Sequence, residues 1–219
     1  MPADERTSAR SSASGEADAA LLSRLRTGDR AAFALLVARH SGSLLRVSLG
    51  FVRDHAVAEE VVQETWLGVL TGLSSFEGRS SLRTWLFQIL INKARTRFVR
   101  EGRTVPFSAL AKSEQLGDGS VDADRFDEGG AWLEPPFGWT EEDPERLAMG
   151  AESLAAIEVA IRELPEAQRA VITLRDVEGL EADEICNVLG ITVTNQRVLL
   201  HRARAKVRRA LENRLGGRP

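Results

Sequence analysis

Apolar residues recur at helical spacing along most of the chain, and the breaks between those runs set its organisation. Leu21, Leu22 and Leu25 follow Ala17 in a first pattern that stops at Gly28. Asp29 then offers an N-cap to a second helix. Its apolar positions are Phe33, Leu36, Val37, Leu44, Leu45, Val47 and Leu49, and Gly42 interrupts it. A third helix is predicted from about Asp54 to Leu73, with Val57, Val61, Val62, Thr65, Trp66, Val69, Leu70 and Leu73 facing inward. Glu59, Glu60, Gln63 and Glu64 fall mostly off that stripe and make an acidic, polar ridge. Phe76 to Ser81 reads as a Gly- and Ser-containing loop, and a fourth helix runs from about Leu82 to Glu101. Its first turns are apolar (Leu82, Trp85, Leu86, Phe87, Ile89, Leu90, Ile91). Its last turns and the residues after them are cationic (Lys93, Arg95, Arg97, Arg100, Arg103). The front half must be buried, while the rear half suits a polyanion.

Thr104 to Glu145 breaks the helical pattern with Pro106, Pro135, Pro136, Pro144 and the Gly129–Gly130 pair. Its aromatic residues, Phe107, Phe126, Trp132, Phe137 and Trp139, stand apart from one another, as anchors for something outside the chain or for the first bundle. Helical signal returns at Pro144 and holds through Leu147, Leu154, Ile157, Ile161 and Leu164. Pro165 opens the next helix, which ends at Gly179. A short helix (about Ala182 to Leu189), a turn at Gly190 and a long basic helix from about Thr194 then form a helix-turn-helix pattern. Leu164, Val171, Leu174, Leu180, Ile185, Val188, Leu189, Ile191, Val198 and Leu199 are its expected core. The predicted fold is all-α: two small helical domains joined by a long acidic linker. The boundaries are a disordered polar tail at 1–16, a helical bundle at 17–103, the linker at 104–145 and the helix-turn-helix domain at 146–215.

Charge sharpens this division. The chain of 219 residues has a formal net charge of only -3, but the balance is local. Residues 22–103 hold 13 Lys and Arg against 7 acids, whereas residues 104–161 hold 3 against 13. Residues 162–219 return to 11 against 8, so the order is basic, acidic, basic. One cysteine, Cys186, excludes an internal disulfide and a Cys-based zinc site, and fits a reducing cytoplasm. No apolar run approaches the roughly 20 residues needed to cross a bilayer, so membrane insertion is not expected.

At the start of the long basic helix, Thr194, Asn195, Gln196 and Arg197 stand where a helix-turn-helix presents side chains to base edges. His201, Arg202, Arg204, Lys206, Arg208 and Arg209 follow as charge for phosphates. No carboxylate cluster, His pair or nucleophile–base set recurs at useful spacing, since His40, His55 and His201 are scattered. That disfavours a nucleic-acid enzyme and calls for no catalysis, metal or other cofactor. A regulator using only the helix-turn-helix, with the bundle as a sensor, remains open on these residues alone.

The bundle ending in FEGRSSLRTWLFQILINKARTRFVREGR, the acidic linker, and LPEAQRAVITLRDVEGLEADEICNVLGI before a basic helix together resemble a bacterial RNA polymerase sigma factor. The class is the extracytoplasmic-function (ECF) class of the sigma-70 family. The resemblance covers roughly residues 20–103 and 150–215, and it implies roles. Glu59, Glu60, Gln63 and Glu64, with Trp66 or Leu67, would dock on core RNA polymerase. Phe76, Glu77, Gly78, Arg79, Ser80 and Ser81 would capture a flipped base of the minus-ten element. Asn92, Lys93, Arg95, Thr96, Arg97 and Arg100 would hold the opened strand of promoter DNA. Thr194, Asn195, Gln196, Arg197, His201 and Arg202 would read the duplex minus-thirty-five element. The linker would lie in a basic polymerase channel as an RNA mimic. An anti-sigma protein that covers the polymerase-binding surfaces is a further implied partner. Val57, Thr96 and the Val198–Leu199 pair depart from residues common in the family, and Cys186 stands where Ala is usual.

Overall fold

The computed structural model describes residues 18–52, 54–100 and 144–215. Side chains are described over the same ranges except at 98–100, 144–153 and 214–215. The tail at 1–16 and nearly all of the linker at 104–145, with its isolated aromatics, lie outside the described residues. The described residues form helices joined by short turns and loops, with no strand among them. The chain divides into two compact units, Met1–Arg103 and Thr104–Pro219.

In the first unit, α1 (18–26), α2 (Arg30–Phe51), α3 (His55–Gly72) and α4 (Leu82–Arg100) follow one another through short connections. The Asp29 cap lies where the sequence puts it, and Asp54, expected as the start of the third helix, stands just before it as a second cap. Asp29 accepts the Ala31 and Ala32 N–H groups, and Asp54 accepts those of Ala56 and Val57. Between α3 and α4 a single 3-10 turn, Leu73–Ser75, leads into the loop. α2, α3 and α4 pack pairwise, and Leu36, Leu44, Val47, Phe51, Val61, Val69, Leu82, Leu86, Phe87, Leu90 and Ile91 close the core. Gly42 is accommodated inside α2 with a continuous helix around it.

Asp29 also has a pH signature. The Ala32 N–H, the Arg24 guanidinium and the Ala31 N–H hold its carboxyl below the ordinary 3.8, against a smaller opposing effect of burial. A depressed carboxylate contributes stability above its unfolded pKa and loses it as pH falls through the folded value. Asp29→Asn keeps a capping oxygen but no titration. The stability of wild type and variant should therefore differ above the ordinary 3.8 and converge only as pH falls through the lower value of the folded state. Hydrogen exchange of the α2 amides checks this, and a constant difference from neutral to acid pH would contradict it.

In the second unit, α5 (Pro144–Glu163), α6 (Glu166–Ile172), α7 (Ala182–Leu189) and α8 (Val193–Leu215) form a smaller helical assembly. α5, α6 and α7 all pack against α8. α6 widens at its end into a π-turn, Thr173–Val177, before Gly179 reverses the chain. The core has the aliphatic character expected from a segment without aromatics. Leu164, Val171, Leu174, Leu180, Ile185, Val188, Leu189 and Leu199 are buried, joined by Leu200 and Ala203. Ile191 and Val198, expected inside, are only half-buried because they flank the turn and the open face of α8.

Candidate nucleic-acid interface

The loop before α4 is rooted at one end and open at the other. Phe76 is buried, its ring centroid 4.8 Å from that of Trp85, and its carbonyl accepts the Arg26 guanidinium at 2.6 Å. Gly72, in the last turn of α3, lies beneath the same indole: an added Cβ there would sit 3.4 Å from it. Glu77, Gly78, Arg79, Ser80 and Ser81 are exposed. Gly78 turns the chain at φ +72°, a conformation that side-chain-bearing residues rarely adopt. Ser81 ends the loop as the cap of α4, its hydroxyl accepting the Thr84 N–H at 3.0 Å. The expectation that Phe76 presents itself to DNA is therefore corrected. Its ring belongs to the core, and residues 77–81 are the exposed part of the loop.

On α4, the change of character seen in the sequence coincides with a change in burial. Leu90, Ile91 and Ala94 are buried, Asn92 and Thr96 are exposed, and Lys93, Arg95 and Arg97 are half-buried. Burial lowers the pKa of the Arg95 guanidinium, which nevertheless stays charged at neutral pH. The helix includes Arg100 as its last residue.

The ridge on α3 lies beside this surface. Glu59, Glu60 and Gln63 are exposed and Glu64 half-buried. Trp66 packs edge-on against Phe33 with centroids 5.9 Å apart, so it braces α2 against α3. Leu67 is 63% exposed, and Leu70, expected inside, is 56% exposed. The correction at Leu70 has a simple cause. Gln63, Leu67 and Leu70 follow at i+4 and i+3 spacing and share one face, which no described helix covers. That spacing was in the sequence and could have placed Leu70 with the ridge.

The helices α3 and α4 approach closely because Gly68 faces Ile89. An added Cβ there would lie 2.9 Å from the Ile89 Cγ2, and 3.6 Å from the Lys93 side chain. Further along the same seam Arg97 forms an ion pair with Glu60. The ridge and the cationic end of α4 are thus joined by a direct contact.

In the second unit, Gly190 ends α7 in the left-handed conformation (φ 63°) and Thr192 caps α8, its hydroxyl accepting the Asn195 N–H at 3.2 Å. Thr194 and Arg197 are exposed at the start of α8. Asn195 and Gln196 are buried, at 8% and 2% exposure, and the expectation that they face base edges is corrected. Leu199, Leu200 and Ala203 are buried on the same face of α8, so their packing carries both amides into the domain. Two expected phosphate contacts also change. Arg204 is engaged by Asp176 through two hydrogen bonds of 2.9 and 2.7 Å, tying α8 to the π-turn. His201 is held below its ordinary 6.5, first by burial and then by Arg202 and Arg204, so it is neutral at neutral pH. Arg197, Lys206 and Arg209 remain as exposed cations along α8. The Cys186 thiol is half-buried and pushed up by burial and by Asp183, so it is a poor nucleophile at neutral pH.

Among the described residues no group of His, Cys, Asp and Glu is placed to hold a metal ion, and no helix is long and apolar enough to cross a membrane. The family model described as Sigma-70 region 2 matches residues 36–104, and the one described as Sigma-70, region 4 matches residues 154–207. The RNA polymerase sigma-H factor of Pseudomonas aeruginosa is 34% identical over 197 residues, covering 90% of this chain and 95% of the relative. The ECF RNA polymerase sigma-E factor of Escherichia coli K12 is 32% identical over 190 residues, covering 87% and 92%. Among solved structures, CnrH in complex with the cytosolic domain of CnrY has 25% identity and a TM-score of 0.55, covering 90% of this chain and 98% of that one. The sigma factor RpoE from Bartonella quintana, solved with the anti-sigma factor NepR, has the same fold (TM-score 0.54, 21% identity, covering 82% and 96%).

Proposed function

Because the chain belongs to the sigma-70 family, in its extracytoplasmic-function class, we propose that it divides promoter recognition between its two units. The chain is a promoter-recognition factor for RNA polymerase in transcription initiation. Its first unit docks on the core enzyme and holds the opened minus-ten strand, and its second reads the duplex minus-thirty-five element. The observation that carries this reading is the arrangement of the first unit. There an exposed acidic ridge with two open leucines adjoins an open polar loop and a cationic helix end.

Each role follows from the chemistry of its surface. Glu59, Glu60, Gln63 and Glu64 meet a basic polymerase surface, and Leu67 and Leu70 supply its apolar contact. Gly78, Ser80 and Ser81 give the loop the small side chains, and Gly78 the backbone freedom, that a flipped base requires. Asn92, Lys93, Arg95, Thr96, Arg97 and Arg100 contact the strand and its phosphates. Thr194 and Arg197 reach base edges in the major groove, with Arg202, Lys206 and Arg209 on phosphates. All of this is binding, so the chain needs no catalysis of its own and works in the cytoplasm beside polymerase. The linker at 104–145, net acidic, occupies a cationic channel of the enzyme. A covering protein of the anti-sigma kind fits the Leu67–Leu70 face, as the solved RpoE carries an anti-sigma factor and CnrH the cytosolic domain of CnrY.

Runoff transcription on genomic fragments with core polymerase tests the whole reading, with defined start sites as the expected result. No start with any core enzyme would sink it. Within that assay, Arg197→Ala is expected to relax base preference in the minus-thirty-five element and to weaken duplex binding by about 1–2 kcal/mol. Unchanged base preference would remove Arg197 from the reading face.

A further inference from the structure

The Glu60–Arg97 ion pair joins two surfaces that the function assigns to different ligands. Glu60 belongs to the ridge on α3 and Arg97 to the cationic end of α4. The close approach at Gly68 and Ile89 holds the two helices in this register. Exposure is uneven across the pair: the Glu60 side chain is 56% exposed, that of Arg97 only 25%. A ligand arriving from solvent therefore reaches the carboxylate first.

We propose that Glu60 is a positioning residue for Arg97, holding its guanidinium back from DNA until a polymerase cation takes the carboxylate. The inference rests on the assignment of α3 to polymerase and α4 to the opened strand. An ion pair whose carboxylate is open to solvent is weak, so a competing cation in a tight interface can displace it. A released guanidinium then pairs with a phosphate through charge-assisted hydrogen bonds. The linkage is reciprocal: whatever factor polymerase adds to strand affinity, the strand adds to polymerase affinity.

The test uses the full chain and a short fluorescein-labelled single-stranded DNA of randomised sequence, read by anisotropy. Without polymerase, Glu60→Gln is expected to tighten binding about threefold, the weight of one exposed pair. Glu59→Gln removes the same charge one residue away, from a carboxylate paired with His55, and should tighten binding much less. In an Arg97→Ala background the Glu60→Gln gain should vanish, and with core polymerase bound it should vanish in wild type too. An equal gain from Glu59→Gln, or a gain that survives Arg97→Ala, reduces the effect to net charge and overturns the coupling. Failure of the strand-binding assignment itself looks different. Arg97→Ala would then bind the probe as wild type does, with and without polymerase, and the inference would fall with it.

Discussion

Replacing Arg169 with Ala is expected to destabilise the second unit by about 4 kcal/mol, the largest loss we anticipate from a single surface-type residue. Arg169 is 4% exposed, and one terminal nitrogen donates to the Arg162 carbonyl at 3.0 Å and to the Leu164 carbonyl at 3.3 Å. These carbonyls end α5, where helical partners run out. Truncation leaves the buried Leu164 carbonyl without that donor, at a cost of about 1–3 kcal/mol, takes a partner from the part-buried Arg162 carbonyl, and opens a cavity where the aliphatic stem packed. A small domain has only about 5–15 kcal/mol in reserve. Urea unfolding should therefore show the second unit melting early and duplex binding lost, while α2 to α4 keep their hydrogen-exchange protection. A shift under about 1 kcal/mol would mean that water satisfies those carbonyls.

Gly68→Val should cost the first unit about 2 kcal/mol, the usual penalty of forcing extra carbons into a packed seam. The added Cβ would lie 2.9 Å from Ile89 Cγ2, a branch fixed close to its own backbone and unable to swing away. Val gains little helix propensity over Gly, so nothing substantial offsets the clash. Ile89→Ala removes the opposing methyl group, and the double variant should be more stable than the two single losses predict. Additive losses, measured by denaturation, would show that the seam relaxes without help from Ile89. The same variant should weaken the Glu60–Arg97 contact, because widening α3 from α4 separates the two side chains.

Much of this architecture is legible in the residues alone. The caps at Asp29 and Asp54, the turn at Gly190 and the apolar front of α4 are local features, and each acts within a few residues of itself. The charge change near Asn92 likewise needs no partner to be seen. Phe76 is harder. In sequence it is one more loop residue, and only the Trp85 ring and Arg26 guanidinium place it inside. Asn195 and Gln196 fail for a related reason: their side-chain chemistry suits base edges, but they share the face of α8 that packs into the domain with Leu199, Leu200 and Ala203.

The residues alone therefore dictate the set of helices, their ends and the sign of charge on each. These follow from periodicity, capping and composition, which act over short distances along the chain. The tertiary structure decided which of those faces are covered. It put Arg169 inside, left Leu67 and Leu70 outside, tied Arg204 to Asp176 and set Glu60 against Arg97. A helical period locates a residue around its own axis, but burial and pairing depend on what the neighbouring helices bring to that side.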